Sequence, residues 1–317
     1  MAKTKQTAYG GQAVMEGVMF AGRTSYVTAI RRKDETIEYF ELERKESKLS
    51  KTLKKIPFVR GLVALVQASA NGTKHLNFST ERYDVDPSED DQIKKEEETS
   101  KLAMILGVGA VGVLSFILGK VLFTLVPTFV AEFFRPVVPG DTGQVLLEGL
   151  FKFILLLGYI YFLSLTPLIK RVFQYHGAEH KVINAYENGS DLTVEDVQKH
   201  SRLHYRCGSS FLLFTVLVGI VVYLFVDTSP LWWRIVNRMM LIPVVIGLSF
   251  EVLQLTNKLR NIPVLRYLGY PGLGLQLLTT KEPQDDQVEV AIQSFKKVLE
   301  NDRNSELRGI EGNRGIS

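Results

Sequence analysis

Between residues 102 and 255 the chain carries four long apolar runs separated by polar loops, more than an ordinary water-soluble domain can bury in succession. The first, residues 102–126, is long enough at helical rise to cross about 30 Å of hydrocarbon. Its Lys120 lies near the end and can snorkel to the headgroups. In the second, residues 145–168, Glu148 and Lys152 stand at i,i+4, where they can pair. Residues 211–226 and 239–255 complete the set. The pattern predicts an α-helical polytopic membrane protein with four transmembrane helices. Gly107, Gly109, Gly112 and Gly119 in the first run allow close helix approach, which suits internal packing or a homo-oligomer.

Charge orients these runs. Lys and Arg number 18 in residues 1–101, one in 127–144, six in 169–210, two in 227–238 and nine in 256–317. Positive charge stays with the cytoplasm, so both termini and loop 169–210 are expected inside the cell membrane. MAKTKQTAYGG has positive charges but no apolar core behind them, so no signal peptide is expected. The net charge of +4 is accounted for by anionic headgroups of the lipid bilayer. With no basic-aromatic stripe or nucleic-acid motif, no nucleic-acid partner is expected. The single cysteine, Cys207, excludes an intramolecular disulfide and fits a reducing compartment.

Four regions follow. Residues 1–83 form a cytoplasmic β-rich region plus an interfacial helix. Strands are expected at 12–20, 25–32 and 37–43, with Lys33, Asp34 and Glu35 as a turn, giving a small N-terminal β-sheet. Pro57 and the apolar block 58–66, flanked by Lys54, Lys55 and Arg60, predict an interfacial amphipathic helix. Residues 84–101 are an acidic linker. Residues 102–255 make the membrane domain with its His-rich loop 169–210. In 256–317, residues 263–280 should pack at the interface or into the bundle, 287–299 should be helical, and the tail beyond Asn301 disordered.

Chemistry concentrates in one place. Of five histidines, His176, His180, His200 and His204 fall in loop 169–210 with Cys207. On a helix, His176 and His180 project from one face a turn apart, as two ligands of one metal must. With Glu179 they form His-x-x-Glu-His, the inverted zincin spacing, in which the carboxylate is general base. HSRLHYRC repeats the i,i+4 spacing with His200 and His204 and sets Cys207 a turn further on. A catalytic zinc site takes three protein ligands and an open position, so at most three of His176, His180, His200, His204 and Cys207 ligate. His176 and His180 plus one residue of the second half are expected. Glu251, inside the fourth run, either faces a cavity or pairs with Lys258 or Arg260. His75 and Glu16 read as surface or sheet residues.

The segments GGQAVMEGVMFAG, FQYHGAEHKVINAYENG, HSRLHYRCGSSF and LTTKEPQDDQVEVAI together resemble the bacterial YqhQ family, domain-of-unknown-function family 1385. The resemblance covers nearly the whole chain. It implies a multi-pass cytoplasmic-membrane protein of a family labelled predicted metal-dependent enzymes. It places His176, Glu179, His180, His200, His204 and Cys207 at family motif positions, and it draws notice to Gly10, Gly11, Glu16 and Gly17. No substrate comes with it.

The expectation is thus a membrane-embedded metal-dependent hydrolase, with Zn²⁺ or another divalent transition metal as cofactor and Glu179 as the catalytic base. The alternative is a non-enzymatic partner or regulator of other membrane proteins, such as a translocase or a membrane protease. A transporter comes third, because four spans carry few intramembrane charges. The topology is checked by reporter fusions: one at residue 135 should behave as external and one at residue 190 as cytoplasmic, and the reverse pattern would put the histidines on the wrong side.

Overall fold

Residues 9–89, 118–119 and 121–314 are described by a computed structural model. Helices dominate, joined to one small N-terminal antiparallel sheet of four strands in the order β1-β2-β3-β4: Gly10–Val14, Gly17–Ala21, Ser25–Arg31 and Ile37–Glu43. The expected strand 12–20 is a hairpin, β1 pairing with β2 through a turn at Met15 and Glu16, with Glu16 at φ 50°. Met-Glu is not the Asn-Gly or Asp-Gly chemistry that marks such turns, so the sequence hid the break. Gly17 follows because a Cβ there would collide with the Ala29 carbonyl oxygen on β3. The β3–β4 turn falls on Lys33, Asp34 and Glu35 as expected.

Beyond the sheet the helices run α1 (Lys48–Leu53), α2 (Val59–Arg82), α3 (Val126–Phe133), α4 (Asp141–Ser164), α5 (Pro167–Glu187), α6 (Val194–Gln198), α7 (Gly208–Tyr223), α8 (Leu231–Met240), α9 (Ile242–Leu259), α10 (Tyr270–Thr279) and α11 (Asp285–Arg314). Pro167 ends the second apolar run: Thr166 before it is extended, and the chain restarts as α5. Among the described residues, α4 and α9 are long and apolar enough to cross a membrane, while α7 and residues 122–133 are shorter apolar helices. Most of the first run, and residues 90–101 of the acidic linker, lie outside the described residues.

One face of the sheet packs on α5 and α11. Val18, Phe20, Val27 and Ala29 meet Tyr175, Ala178 and Val182 of α5 and Val288, Phe295 and Val298 of α11 in a single core. The other face is covered by α2, whose Phe78 stacks on Phe40 with ring centres 4.8 Å apart. His75 is fully buried there, not at the surface, its Nδ1 2.6 Å from the Thr28 hydroxyl. Burial, and then the charge of Lys74, pushes its pKa down to about 4, so it sits neutral in the core.

The interfacial block 58–66 proves to be the start of a 24-residue helix that ties sheet to bundle. Its first turn docks on α9. Glu251 accepts from the Phe58 N–H at 3.1 Å and from Arg60 Nε at 2.7 Å, so its partner is Arg60 and not Lys258 or Arg260. The approach is close because Gly247 has no Cβ to press on the Phe58 carbonyl. Of residues 263–280, the part from Tyr270 on packs into the bundle as α10, where Ser210 Oγ donates to the Gly272 carbonyl at 3.1 Å, while 263–268 stay exposed. Glu148 interacts with the charge of Lys152 as expected and is held in addition by Arg234 at 2.7 Å and Arg238 at 3.1 Å, both guanidinium groups being fully buried.

The C-terminal helix also runs further than the sequence suggested, through Arg314, in place of a disordered tail beyond Asn301. Its anchor is Asp302. That carboxylate accepts from the Tyr9 hydroxyl at 3.1 Å, the Arg23 and Thr24 N–H groups at 3.0 Å and the Thr24 hydroxyl at 2.9 Å, closing the β2–β3 turn. Burial pushes the carboxyl up, but these donors outweigh it and hold its pKa below the ordinary aspartate value. A lowered folded-state pKa means stability that is complete above the unfolded value, near pH 4, and lost as pH falls through the folded one. Asp302→Ala should therefore cost about 2–4 kcal/mol at neutral pH, by the usual loss of several bonds to a charged group. The gap to the parent protein should shrink on acidification, as thermal melting in detergent would record; a pH-independent gap would count against the assignment.

Candidate metal centre

The site is built on the middle of α5. Every residue from Gly177 to Ile183 is buried, so polar side chains here must find partners inside the protein. The glycine of His-Gly-Ala-Glu-His lets the strand-like segment after α10 run against the helix, since a Cβ at Gly177 would strike the Lys281 carbonyl oxygen. Lys281 in turn donates its N–H to the Phe173 carbonyl at 2.8 Å. Ala178 fills the core under the sheet.

His176 and His180 do share a face, with ring centres 4.5 Å apart. Each Nδ1 meets a main-chain carbonyl: His176 with Thr279 at 2.8 Å and His180 with Arg202 at 2.6 Å. A carbonyl only accepts, so both Nδ1 atoms carry the proton and both Nε2 atoms keep a free lone pair. Cys207 Sγ lies 3.2 Å from His176 Nε2. One donor atom from each of His176, His180 and Cys207 falls within 4.8 Å of the other two.

HSRLHYRC is not a helix, and this alters the expected ligand set. Residues 199–207 form an irregular segment whose carbonyls are taken by side chains of α5. Lys181 Nζ donates to Gln198 O at 2.8 Å, and Asn184 Nδ2 to Ser201 O at 2.7 Å and Leu203 O at 3.0 Å. Gln276 of α10 closes the far side, its side chain bonding both the N–H and the carbonyl of His204 at 2.8 Å. Without a helix, i,i+4 spacing places nothing on one face. His200 turns to the Ser190 hydroxyl at 2.9 Å, away from the cluster. His204 stays beside it, its ring centre 5.7 Å from that of His180 and its Nε2 3.9 Å from a Glu187 oxygen. Burial lowers the His204 pKa against the pull of Glu187. Glu187 itself is pushed up by burial, but His204 and the bound Arg206 outweigh that and bring it to about 2.

Cys207 occupies the N-cap of α7, where its sulfur accepts from the Ser209 N–H at 3.4 Å and lies 3.0 Å from the Ser209 hydroxyl. Thr279, whose carbonyl holds His176, bonds that same hydroxyl at 3.1 Å. Glu179 is buried on the flank of the turn, outside the three-atom cluster, and takes the Gly11 N–H. Burial raises its pKa to about 7, against the opposing pull of His176 and Gly11. Gly11 has no room for a side chain, since a Cβ would lie 2.9 Å from the Glu179 carboxyl carbon. Glu16, read as a lone sheet residue, accepts from Arg171 at 2.7 Å and from the Tyr175 hydroxyl at 3.2 Å, pinning the hairpin one turn upstream of the histidines. Gly10 has open space beside it.

The model of the family described as Protein of unknown function (DUF1385) matches residues 56–301. The chain belongs to this family. It is 65% identical over 293 residues to a protein of Bacillus subtilis (strain 168) titled "Uncharacterized protein YqhQ", covering 92% of each chain. No solved structure matches it. The family description and the relative's title carry neither a reaction nor a metal. Lys181, Asn184, Gln276 and Gly11, which hold the site in shape, were not singled out by sequence reasoning for that role. Only Gly11 had a signal, through the glycine-rich motif.

Proposed function

We propose that His176, His180 and Cys207 hold a divalent transition metal, zinc by its taste for imidazole and thiolate, in a hydrolase at the cytoplasmic surface of a multi-pass membrane protein. The observation that carries this reading is the convergence of three donor atoms within 4.8 Å, with the Nδ1 of each imidazole on a main-chain carbonyl and the Nε2 of His176 toward the Cys207 sulfur. Neighbouring donors around a tetrahedral zinc stand about 3.3–3.7 Å apart, given bonds of about 2.0–2.3 Å, so a small contraction accommodates the ion. Backbone carbonyls on the far nitrogens are the usual way a protein fixes ligand tautomer and ring orientation.

Three protein ligands leave one position open, as catalytic sites do and structural sites do not. A metal held by these three residues would supply an acidic bound water at the open position near neutral pH and would polarise a carbonyl or phosphoryl oxygen. The chain's own part is then to place a base and to exclude bulk solvent. Glu179 follows His176 by three positions and is buried, and that burial lifts its carboxyl to about 7, close to the pH at which a base must take the proton. The Gly11 N–H holds the carboxyl in place. Substrates reachable there are a lipid headgroup, a membrane peptide or a small phosphorylated metabolite.

The membrane part of the reading is supported by exposure. In the most apolar stretches of α4 and α9, only 28% and 22% of residues are buried, whereas the core helix of a soluble protein hides most of its apolar surface. With residues 122–133 and α7 as further apolar helices, the four-span arrangement with both termini inside remains the proposal.

A second reading uses the same contact without metal. Cys207 at a helix N-terminus beside a histidine whose Nδ1 is carbonyl-held is also the layout of a thiol nucleophile and its base. Metal content separates the two. Protein purified without chelator should carry about one zinc per chain, the occupancy of a mononuclear site, and His176→Ala or Cys207→Ser should release it while His200→Ala does not. Glu179→Gln should keep metal and abundance yet fail to complement loss of the gene. Metal-free protein whose Cys207 is alkylated readily would favour thiol chemistry, and full complementation by metal-loaded Glu179→Gln would leave the non-enzymatic partner in front.

A further inference from the structure

A cavity of about 480 Å³ lies among α4, α7, α9, Leu65 of α2 and Gly119, Phe123 and Thr124, within the range of about 300–1,000 Å³ usual for small-molecule sites. Its walls are mostly apolar, with Leu156, Ile160, Val216 and Val245 among them, and none of the metal-site residues lines it. The α7 positions on its wall run from Phe211 to Tyr223. At 1.5 Å per residue that is about 18 Å, the proportion of an extended chain and not of a compact metabolite.

One end is cationic. Tyr223 is part of the wall, and the Arg238 guanidinium carbon stands 4.0 Å from the centre of its ring, with Lys152 Nζ 5.6 Å from the same centre. Lys152 lines the cavity itself. Arg234 and Arg238 are both fully buried and share the carboxylate of Glu148; Arg234 also reaches Glu132, which Arg135 engages as well. Three carboxylates, Glu132, Asp141 and Glu148, thus face four cations, Arg135, Arg234, Arg238 and Lys152. Arg238 Nη1 is buried with no hydrogen-bond partner among the described residues. An unanswered guanidinium N–H in an apolar interior is costly, and an anion nearby relieves it.

We propose that this cavity binds one acyl chain of an anionic phospholipid, the chain lying along α7 and the phosphate at the Lys152 and Arg238 end. The site is separate from the metal centre. It draws on the membrane reading only for the source of its ligand. Charge complementarity selects an anionic lipid over a zwitterionic one of the same chain length, because the apolar wall reads both alike while the cations read only the headgroup.

Native mass spectrometry of the detergent-purified full chain tests this with dioleoyl phosphatidylglycerol and dioleoyl phosphatidylcholine as probes. The parent protein should retain a single phosphatidylglycerol at least tenfold more tightly than phosphatidylcholine. Lys152→Gln should bring the two within about threefold, and Val216→Trp, which fills the cavity, should lose both while metal content and melting stay near the parent's. Equal retention of the two lipids by the parent, a statistical ladder of several lipids, or undiminished binding by Val216→Trp would overturn the proposal. So would the absence of any bound lipid. Because metal content is read on the same samples, failure of the lipid site is distinguishable from failure of the metal site.

Discussion

Two main-chain carbonyls, those of Arg202 and Thr279, decide what the histidines of α5 can do. An imidazole has one proton to give when neutral, and each carbonyl claims it at Nδ1, leaving the Nε2 of His176 to face the sulfur of Cys207. The carbonyls are in place because the chain around them is tied. Asn184, Lys181 and Gln276 capture the backbone of residues 198–204, and Gly177 admits the segment that follows Thr279. Loss of those ties would leave His176 and His180 on the same helix face but free to flip tautomer, and the donor set would no longer converge.

The N-terminal sheet belongs to the same arrangement. Gly11 supplies an N–H to Glu179, Glu16 grips Arg171 and Tyr175, and α2 carries the far end of the sheet down to Glu251 of α9. The GGQAVMEG segment is therefore part of the wall behind the turn of α5 that carries His176 and His180. Asp302 completes the enclosure by fastening the last helix to the β2–β3 turn. Residues distant in sequence by nearly the whole chain, such as Tyr9 and Asp302, thus meet within one unit.

Periodicity made the face shared by His176 and His180 legible, because α5 is helical through both and the spacing rule holds there. The same rule failed for His200 and His204, since the segment between them spends its carbonyls on α5 side chains and forms no helix. Alternation revealed the sheet but not the Met15–Glu16 turn, which has no turn-forming residues. The long apolar helices α4 and α9 were legible as runs; their ends were moved by Pro167 and Pro243. Glu251 read as paired with near sequence neighbours and Glu148 with Lys152 alone, yet the arginines that hydrogen-bond them, Arg60 and Arg234 with Arg238, lie 191, 86 and 90 positions away, beyond any local pattern. Asp302 left no trace, because a carboxylate capping a remote turn looks like any other helix charge.

The central claim, that one thiolate and two imidazoles share an ion, is met most directly by X-ray absorption at the zinc edge of the purified full-length protein. The account predicts one sulfur at about 2.3 Å and two imidazole nitrogens with one lighter oxygen or nitrogen at about 2.0–2.1 Å. A first shell with no sulfur, or with fewer than two imidazoles, would contradict it.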